Sequence, residues 1–99
     1  MFRLENWSMF VDPNPYLAPE LQRGHLTGTV YGNPSFEDGA SITTSYIIEI
    51  NVRKGYAKTR SGSEYVLGNP HPEWVGWLKE NNYTQTLEDL ENRESRLMN

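Results

Sequence analysis

The sequence predicts an α+β fold, in which a twisted, mainly antiparallel sheet of about five strands, arranged as a meander or roll, packs against C-terminal helices. Residues 2–67 are rich in β-branched and aromatic residues, and glycine-containing turns divide them into short segments. After Pro70 the apolar spacing changes to the three- and four-residue spacing of a helix. The 99 residues fit one domain. We divide it into a β-rich part with a tryptophan-bearing helix, residues 1–83, and a last helix, residues 84–99.

The first two strands are predicted on either side of a proline-rich connection. Phe2 to Val11 alternates in polarity, but the apolar phase changes near Asn6, which indicates a bulge or a strand that is dry on both faces. The prolines between residues 12 and 24 predict a stiff, extended or turning connection. His25 to Tyr31 has strand composition, and Gly28 within it predicts a bulge or close packing under a large side chain.

The stretch from Tyr31 to Ser45, YGNPSFEDGASITTS, predicts a corner between two strands, because Gly39 permits a tight turn. Whether this corner also binds a partner stays open at this point. Ala40 to Val52 is predicted as one long strand, with Ile42, Ile48 and Ile50 on the same face. Two further strands, at 56–59 and 64–67, follow glycine-containing turns and complete a meander.

Two helices are predicted at the C-terminal end. The first covers residues 71–80, with Pro72 in its first turn and Trp74, Trp77 and Leu78 on one face. We expect this face to pack on the sheet, either on the side of Ile42, Ile48, Ile50, Val30 and Leu67 or on the opposite side around Ile47. Asn81 and Asn82 end the helix. Thr84 or Thr86 is predicted to cap the last helix, which packs either on this chain or on a second one.

Composition excludes several classes of protein. The chain has no cysteine, so it has neither disulfides nor cysteine-based zinc sites, and its two histidines lie far apart in sequence. The net charge of −4 and the lack of a large lysine and arginine cluster argue against nucleic-acid binding. No segment has the length and apolarity of a membrane span, and the N-terminus does not look like a signal peptide. We therefore expect a cytoplasmic protein without a metal or other cofactor.

Catalytic residues are not evident in the sequence. It contains no nucleophile elbow and no phosphate-binding or dinucleotide-binding loop. Acid pairs such as Glu37 and Asp38 are adjacent, so their side chains point in different directions and make poor catalytic pairs. His25 and His71 are the remaining candidates for a general base. The sequence thus favours a non-catalytic protein.

A contact surface is the remaining functional candidate. Tyrosines and small hydroxyl residues lie along the predicted corner and the polar strand faces, and tyrosine is enriched at protein interfaces. The same pattern also fits an ordinary solvent-facing sheet. The candidate binding residues are Tyr31, Asn33, Phe36, Asp38, Thr43, Ser45, Tyr46, Arg60 and Tyr65.

Two segments carry a resemblance. Leu26 to Ser45, LTGTVYGNPSFEDGASITTS, and Thr59 to Gly68, TRSGSEYVLG, resemble small uncharacterised bacterial and phage-type proteins with an LxGxVxGxPxFxDGxxIxTS core. Together the two segments make up roughly a third of the chain. The resemblance implies a bacterial or mobile-element setting and no particular activity.

Two hypotheses follow from the sequence. In the first, the chain is a small non-catalytic protein that acts through protein–protein contact or self-association, for example as a homodimer or as a phage-type modulator of a host protein. In the second, it is a small-molecule binder or minor enzyme with an aromatic-lined pocket between sheet and helices, and His25 or His71 supplies a polar group.

Overall fold

The computed structural model describes residues 2–11 and 24–93 and contains six strands and two helices over these ranges. The predicted connection at 12–23 and the end of the last helix, from residue 94, lie outside the described residues. The bounds of the elements are β1 Phe2–Val11, β2 Gly24–Tyr31, β3 Ala40–Thr43, β4 Ile47–Asn51, β5 Tyr56–Thr59, β6 Glu64–Leu67, α1 Pro72–Glu80 and α2 Thr84–Glu91.

All six strands belong to one sheet with the order β3-β2-β1-β6-β5-β4. The central strands β1 and β6 are parallel, and every other neighbouring pair is antiparallel. This confirms the predicted α+β class and the mainly antiparallel sheet. The sheet has six strands instead of about five, because one predicted strand is divided into two.

The predicted single strand from Ala40 to Val52 is wrong. Its first part is the edge strand β3, and its second part is β4 at the opposite edge. The ladder ends at Thr44, whose hydroxyl accepts a hydrogen bond from the Leu26 amide at 3.1 Å and donates to the Ser45 carbonyl at 2.7 Å. These side-chain hydrogen bonds compete with regular strand pairing. A second irregularity lies in β4 between Ile47 and Glu49.

The short link between β3 and β4, residues 44–46, requires a strongly curled sheet. Four residue steps separate Thr43 from Ile47, which span at most about 14 Å. The edges of a flat six-stranded sheet would lie about 24 Å apart, since neighbouring strands are about 4.8 Å apart. Accordingly, the link forms hydrogen bonds both with β2 and with the residue after β5. The Thr44 amide donates to the Leu26 carbonyl, and the Arg60 amide donates to the Tyr46 carbonyl.

Of the two alternatives predicted from the phase change near Asn6, the structure has the bulge. The register with β2 shifts between Glu5 and Ser8, and Asn6 has a φ of 49°. Asparagine tolerates this left-handed conformation better than most residues. The extra residue turns Trp7 to the face that already holds Leu4, and both side chains are fully buried.

The concave face of the sheet forms the core. Its central residues come from every strand except β4, which contributes the partly buried Ile47 and Ile50. The sequence left open which face is buried, and its prediction that Ile42, Ile48 and Ile50 share one face is wrong. The curl and the break after β3 place Ile42, Ile47 and Ile50 in one core, whereas Ile48 is 60% exposed. The buried apolar residues of the sheet are Leu4, Trp7, Leu26, Val30, Ile42, Ala57, Tyr65 and Leu67.

Helix α1 is held over the C-terminal half of β1 by backbone and aromatic contacts. Trp7 forms a parallel bridge with Pro70, and its carbonyl accepts from the His71 amide at 2.8 Å. The His71 side chain then caps the helix, because its Nδ1 accepts from the Glu73 amide at 3.1 Å. The Trp74 ring lies 5.1 Å from the Trp7 ring, centroid to centroid.

The predicted helical face is confirmed in part. Trp74 contacts the core and Leu78 is buried, as expected, but the prediction that Trp77 packs on the sheet is wrong, since this side chain is half exposed. The α1 helix ends at Asn81 and Asn82 as predicted. Neither Thr84 nor Thr86 caps α2, whose N-cap residue is Tyr83 without a side-chain hydrogen bond.

Helix α2 packs on its own chain. Leu90 contacts the hydrophobic core. The Arg53 guanidinium, in the turn after β4, forms an ion pair with Asp89 at 2.9 Å. These two contacts connect α2 to the hydrophobic core and to the turn after the edge strand β4. None of the described helices is long and apolar enough to cross a membrane.

Candidate functional site

The corner between β2 and β3 is built by its own polar side chains. Asn33 is buried, and its Oδ1 accepts from the Ser35 amide at 2.9 Å, which forms an Asx turn. Asp38 Oδ1 accepts from the Gly32 amide at 2.8 Å. Asn33 and Asp38, two of the predicted binding residues, therefore stabilise the turn, and the stretch from Tyr31 to Ser45 is in the first place a structural corner.

Of the other predicted binding residues, Tyr31 and Phe36 lie at the corner, and the rest do not form one surface with it. Ser45 and Tyr46 lie in the link at the opposite end of β2, where the Ser45 hydroxyl accepts from the Ser61 amide at 3.1 Å. Tyr65 is 3% exposed and belongs to the core. The Tyr31 ring contacts the Arg3 guanidinium, which lies 4.6 Å from the ring centroid. The four remaining residues are exposed or partly exposed: Tyr31, Phe36, Thr43 and Arg60.

A different surface emerges between the end of β1 and the two helices. It is a groove of about 580 Å³ with a mostly apolar wall, and we call it the aromatic groove. One wall comes from the last residues of β1 and the first residue of β2. The other wall comes from α1, the turn after it and α2. Its lining residues are Ser8, Met9, Phe10, Val11, Gly24, Trp74, Trp77, Leu78, Tyr83 and Thr86.

Exposed apolar side chains concentrate at this groove. Among the described residues, six large hydrophobic side chains are well exposed, and four of them line the aromatic groove. These four are Phe10, Val11, Trp77 and Tyr83, with exposed fractions of 41%, 54%, 48% and 48%. Scattered exposed hydrophobics need no explanation, but a contiguous group of them marks an interaction site.

The end of α1 creates the most prominent part of the groove. Asn82 adopts a left-handed conformation with a φ of 60°, and the Tyr83 amide donates to the Leu78 carbonyl at 3.0 Å. This helix-ending turn is typical for asparagine. It reverses the chain, so that the Tyr83 ring stacks on the Trp77 ring at 5.1 Å with an interplanar angle of 27°. The two rings form a flat aromatic surface.

The described lining of the groove is mostly apolar. This described lining contains no carboxylate, histidine, lysine, arginine or cysteine side chain, so it offers no general acid or base at neutral pH and no thiol nucleophile. The polar side-chain groups of this lining are the hydroxyls of Ser8, Thr86 and Tyr83 and the indole N–H groups of Trp74 and Trp77.

The two histidines have structural roles. The His25 ring stacks on Phe10 at 5.4 Å, and its Nδ1 lies 3.0 Å from the Thr44 carbonyl oxygen. Because a carbonyl oxygen only accepts, this Nδ1 carries a proton. His71 has the opposite arrangement, since its Nδ1 accepts from a backbone amide. Each histidine thus already uses one ring nitrogen to hold the fold.

A second, polar groove of about 620 Å³ lies on the other face of β1 and β2. His71 and Glu73 border it together with hydroxyl groups of the sheet. The Thr27 hydroxyl, one of these groups, donates to the Ile42 carbonyl at 3.1 Å. The second sequence hypothesis expected a histidine in the aromatic pocket, whereas His71 lies at this polar groove. No group of three or more metal-ligating side chains occurs within residues 2–11 and 24–93.

The sequence-based list missed the residues of the aromatic groove. Phe10 and Val11 are consecutive, so a regular strand cannot bury both in one core, and this is a usable signal of exposure. Tyr83 is six residues after Trp77, a spacing that does not pair residues along a helix. Only the helix-ending turn brings them together. No family model matches the chain, and neither does any curated protein or solved structure.

Proposed function

We propose that the chain is a non-catalytic binding protein that holds a protein partner in the aromatic groove. One observation carries this proposal: four of the six well-exposed large hydrophobic side chains in the described residues surround the same groove. Tryptophan and tyrosine are the residue types that most often dominate binding energy at protein interfaces. Trp77 and Tyr83 are already stacked, so little side-chain freedom is lost when a partner covers them.

The alternative is a small apolar ligand. The groove volume of about 580 Å³ is in the range of ligand pockets, which supports it. Ligand pockets also place a few polar groups to orient a small molecule. Here the polar side-chain groups are hydroxyls and two indole N–H groups at an open, largely apolar surface. This composition favours a partner that covers the groove over a small molecule enclosed by it, and the lining lends no support to an enzyme.

The biological role rests on the sequence resemblance alone. A phage-type or mobile-element modulator of a host protein remains a prediction, as does a cytoplasmic location. Self-association is a further form of protein contact, and the following experiment includes it.

The test compares two exposed apolar positions. Trp77→Ser removes the main aromatic surface of the groove, whereas Ile48→Ser changes an exposed side chain that does not line it. We expect a tagged parent protein to capture a stoichiometric protein partner, identified by mass spectrometry. The Trp77 variant should bind that partner about 30-fold more weakly, since a central tryptophan contributes about 2 kcal/mol or more. The Ile48 variant should bind as the parent does.

Thermal unfolding of both variants controls for loss of the fold. If the folded Trp77 variant captures the partner as well as the parent does, the groove is not the contact surface and the proposal is wrong. If native mass spectrometry instead finds a bound small molecule that the Trp77 variant loses, the ligand alternative replaces it. Concentration-dependent sedimentation of the purified parent measures self-association.

A further inference from the structure

The exposed Trp77 lies between two carboxylates on its own helix. Glu73 precedes it by four residues and Glu80 follows it by three, and residues at these spacings are neighbours on a helix surface. Both glutamates are exposed, and neither forms an ion pair within the described residues. The tryptophan is therefore an apolar anchor point with a free negative charge on each side along the helix.

The charge of the protein is concentrated in the helical layer. Helices α1 and α2 carry five acidic residues and one lysine, a formal charge of −4 that equals the net charge of the whole chain. One of these acids, Asp89, is paired with Arg53. The other four acids, Glu73, Glu80, Glu88 and Glu91, are exposed. A partner on the aromatic groove therefore approaches a surface of negative potential.

This charge argues against a second copy of the chain as the occupant. A symmetric dimer through the groove would place the same patch of both subunits face to face. Glu73 and Glu80 of both subunits would then be brought into one interface, and an accumulation of like charge in an interface is unfavourable. A partner with cations beside its apolar anchor has the complementary arrangement.

We propose that the aromatic groove binds a basic peptide segment of another protein, in which lysine or arginine residues flank an apolar side chain that packs on Trp77 and Tyr83. This inference rests on the proposed function and specifies the partner's chemistry. Glu73 and Glu80 are seven residues apart, which is about 10 Å along the helix axis. A peptide in the polyproline II conformation rises about 3.1 Å per residue with three residues per turn, so cations three residues apart lie on the same side and about 9 Å from each other.

The test uses two synthetic peptides without tryptophan, one with a central Lys-Leu-Leu-Lys sequence and one with Glu-Leu-Leu-Glu. Binding to the parent protein and to its variants is followed by the fluorescence anisotropy of a dye attached to each peptide, so that the readout does not depend on the Trp77 ring. We expect the lysine peptide to bind more tightly than the glutamate peptide. Binding of the lysine peptide should weaken as salt is raised, since salt screens exposed charges, and Trp77→Ser should abolish it.

Two double variants distinguish the effect of the charges beside Trp77 on peptide binding from the effect of the net charge of the protein. Glu73→Gln with Glu80→Gln removes the two charges beside Trp77, and we expect the lysine peptide to bind about 2- to 30-fold more weakly. Glu88→Gln with Glu91→Gln removes the same charge from the same layer. Glu88 and Glu91 lie on the face of α2 away from Thr86, which lines the groove, so this variant should bind as the parent does.

The inference is overturned if both peptides bind equally, if neither binds, or if the two double variants weaken binding to the same extent. In those cases the proposed function is judged separately, by whether Trp77→Ser abolishes capture of the cellular partner. If that capture is lost in the Trp77 variant but unaffected by Glu73→Gln with Glu80→Gln, the groove binds a partner whose recognition does not depend on these charges.

Discussion

Gly28 in β2 lies directly against β1, and replacing it with alanine is a sharp test of the sheet. A Cβ atom at Gly28 would lie 2.8 Å from the Glu5 carbonyl oxygen and 3.0 Å from Leu4 Cγ. Ordinary contacts between such atoms are about 3.5–4.0 Å. The neighbouring atoms have little freedom to move, because Leu4 is fully buried and Glu5 begins the bulge.

The change in the free energy of unfolding caused by Gly28→Ala is the sum of two opposing effects. Forcing an extra carbon into a packed core costs about 1–3 kcal/mol. Replacing glycine by alanine also restricts the unfolded chain, which returns about 0.4–1 kcal/mol. We therefore expect Gly28→Ala to lower the free energy of unfolding by about 1.5 kcal/mol. For a domain of this size the Tm should fall by roughly 6–12 °C.

Gly76→Ala is the matched control, because the same chemical change should have the opposite sign. Gly76 lies within α1, and a Cβ atom there would meet nothing within 4 Å. Alanine in a helix is more favourable than glycine by about 0.5–1 kcal/mol, so the Tm should rise by roughly 2–8 °C. Both variants are measured by thermal unfolding and by urea titration.

The reasoning is refuted if Gly28→Ala is as stable as the parent or more stable. That result would mean that β1 and β2 separate more easily than the contacts with Glu5 and Leu4 indicate. If Gly76→Ala fails to stabilise the protein, the account of α1 as a helix with an open position at residue 76 is wrong, while the account of Gly28 stands.

Two further substitutions test how the elements end. His71→Ala should destabilise the protein by about 0.5–2 kcal/mol, because the Glu73 amide loses its hydrogen-bond acceptor. His71→Asn should retain most of the stability, since asparagine is also a good N-cap residue. Equal urea midpoints for the two variants would argue against the cap. Thr44→Val keeps the side-chain shape but removes the hydroxyl that bonds to β2, so we expect a loss of about 1–3 kcal/mol in the same assay and faster amide exchange at Leu26. An unchanged exchange rate at that amide would contradict the assigned hydrogen bond.

The aromatic groove shows how a contiguous exposed apolar surface can form from residues that carry no motif. Phe10 and Val11 end a strand, and Trp77 and Tyr83 surround a helix end. Each is an ordinary apolar residue when taken alone. The curl of the sheet and the bridge between Trp7 and Pro70 bring the two ends together. A search for catalytic or metal-binding spacings has no means of finding such a site.

Local features of the fold could be predicted from the sequence. The phase change at Asn6 located the irregularity in β1, because a bulge shifts the alternation of a strand, although a strand dry on both faces was the other alternative. Pro72 and the spacing of Trp74 and Leu78 predicted α1, and Gly39 predicted the turn at the corner. Each of these depends on residues that are close together in the chain, so local stereochemistry is sufficient to determine them.

The pairing of strands that are distant in sequence determined the strand order, the buried face and the aromatic groove. The residues from Ala40 to Val52 have the composition of one strand, yet the hydrogen bonds of Thr44 with Leu26 end β3, and the next residues pair at the other edge of the sheet. Strand composition reports only that a segment is suited to a sheet, whichever partner it takes. The buried face, the exposure of Ile48 and the aromatic groove all depend on that choice of partner, and for this reason only the tertiary structure determined them.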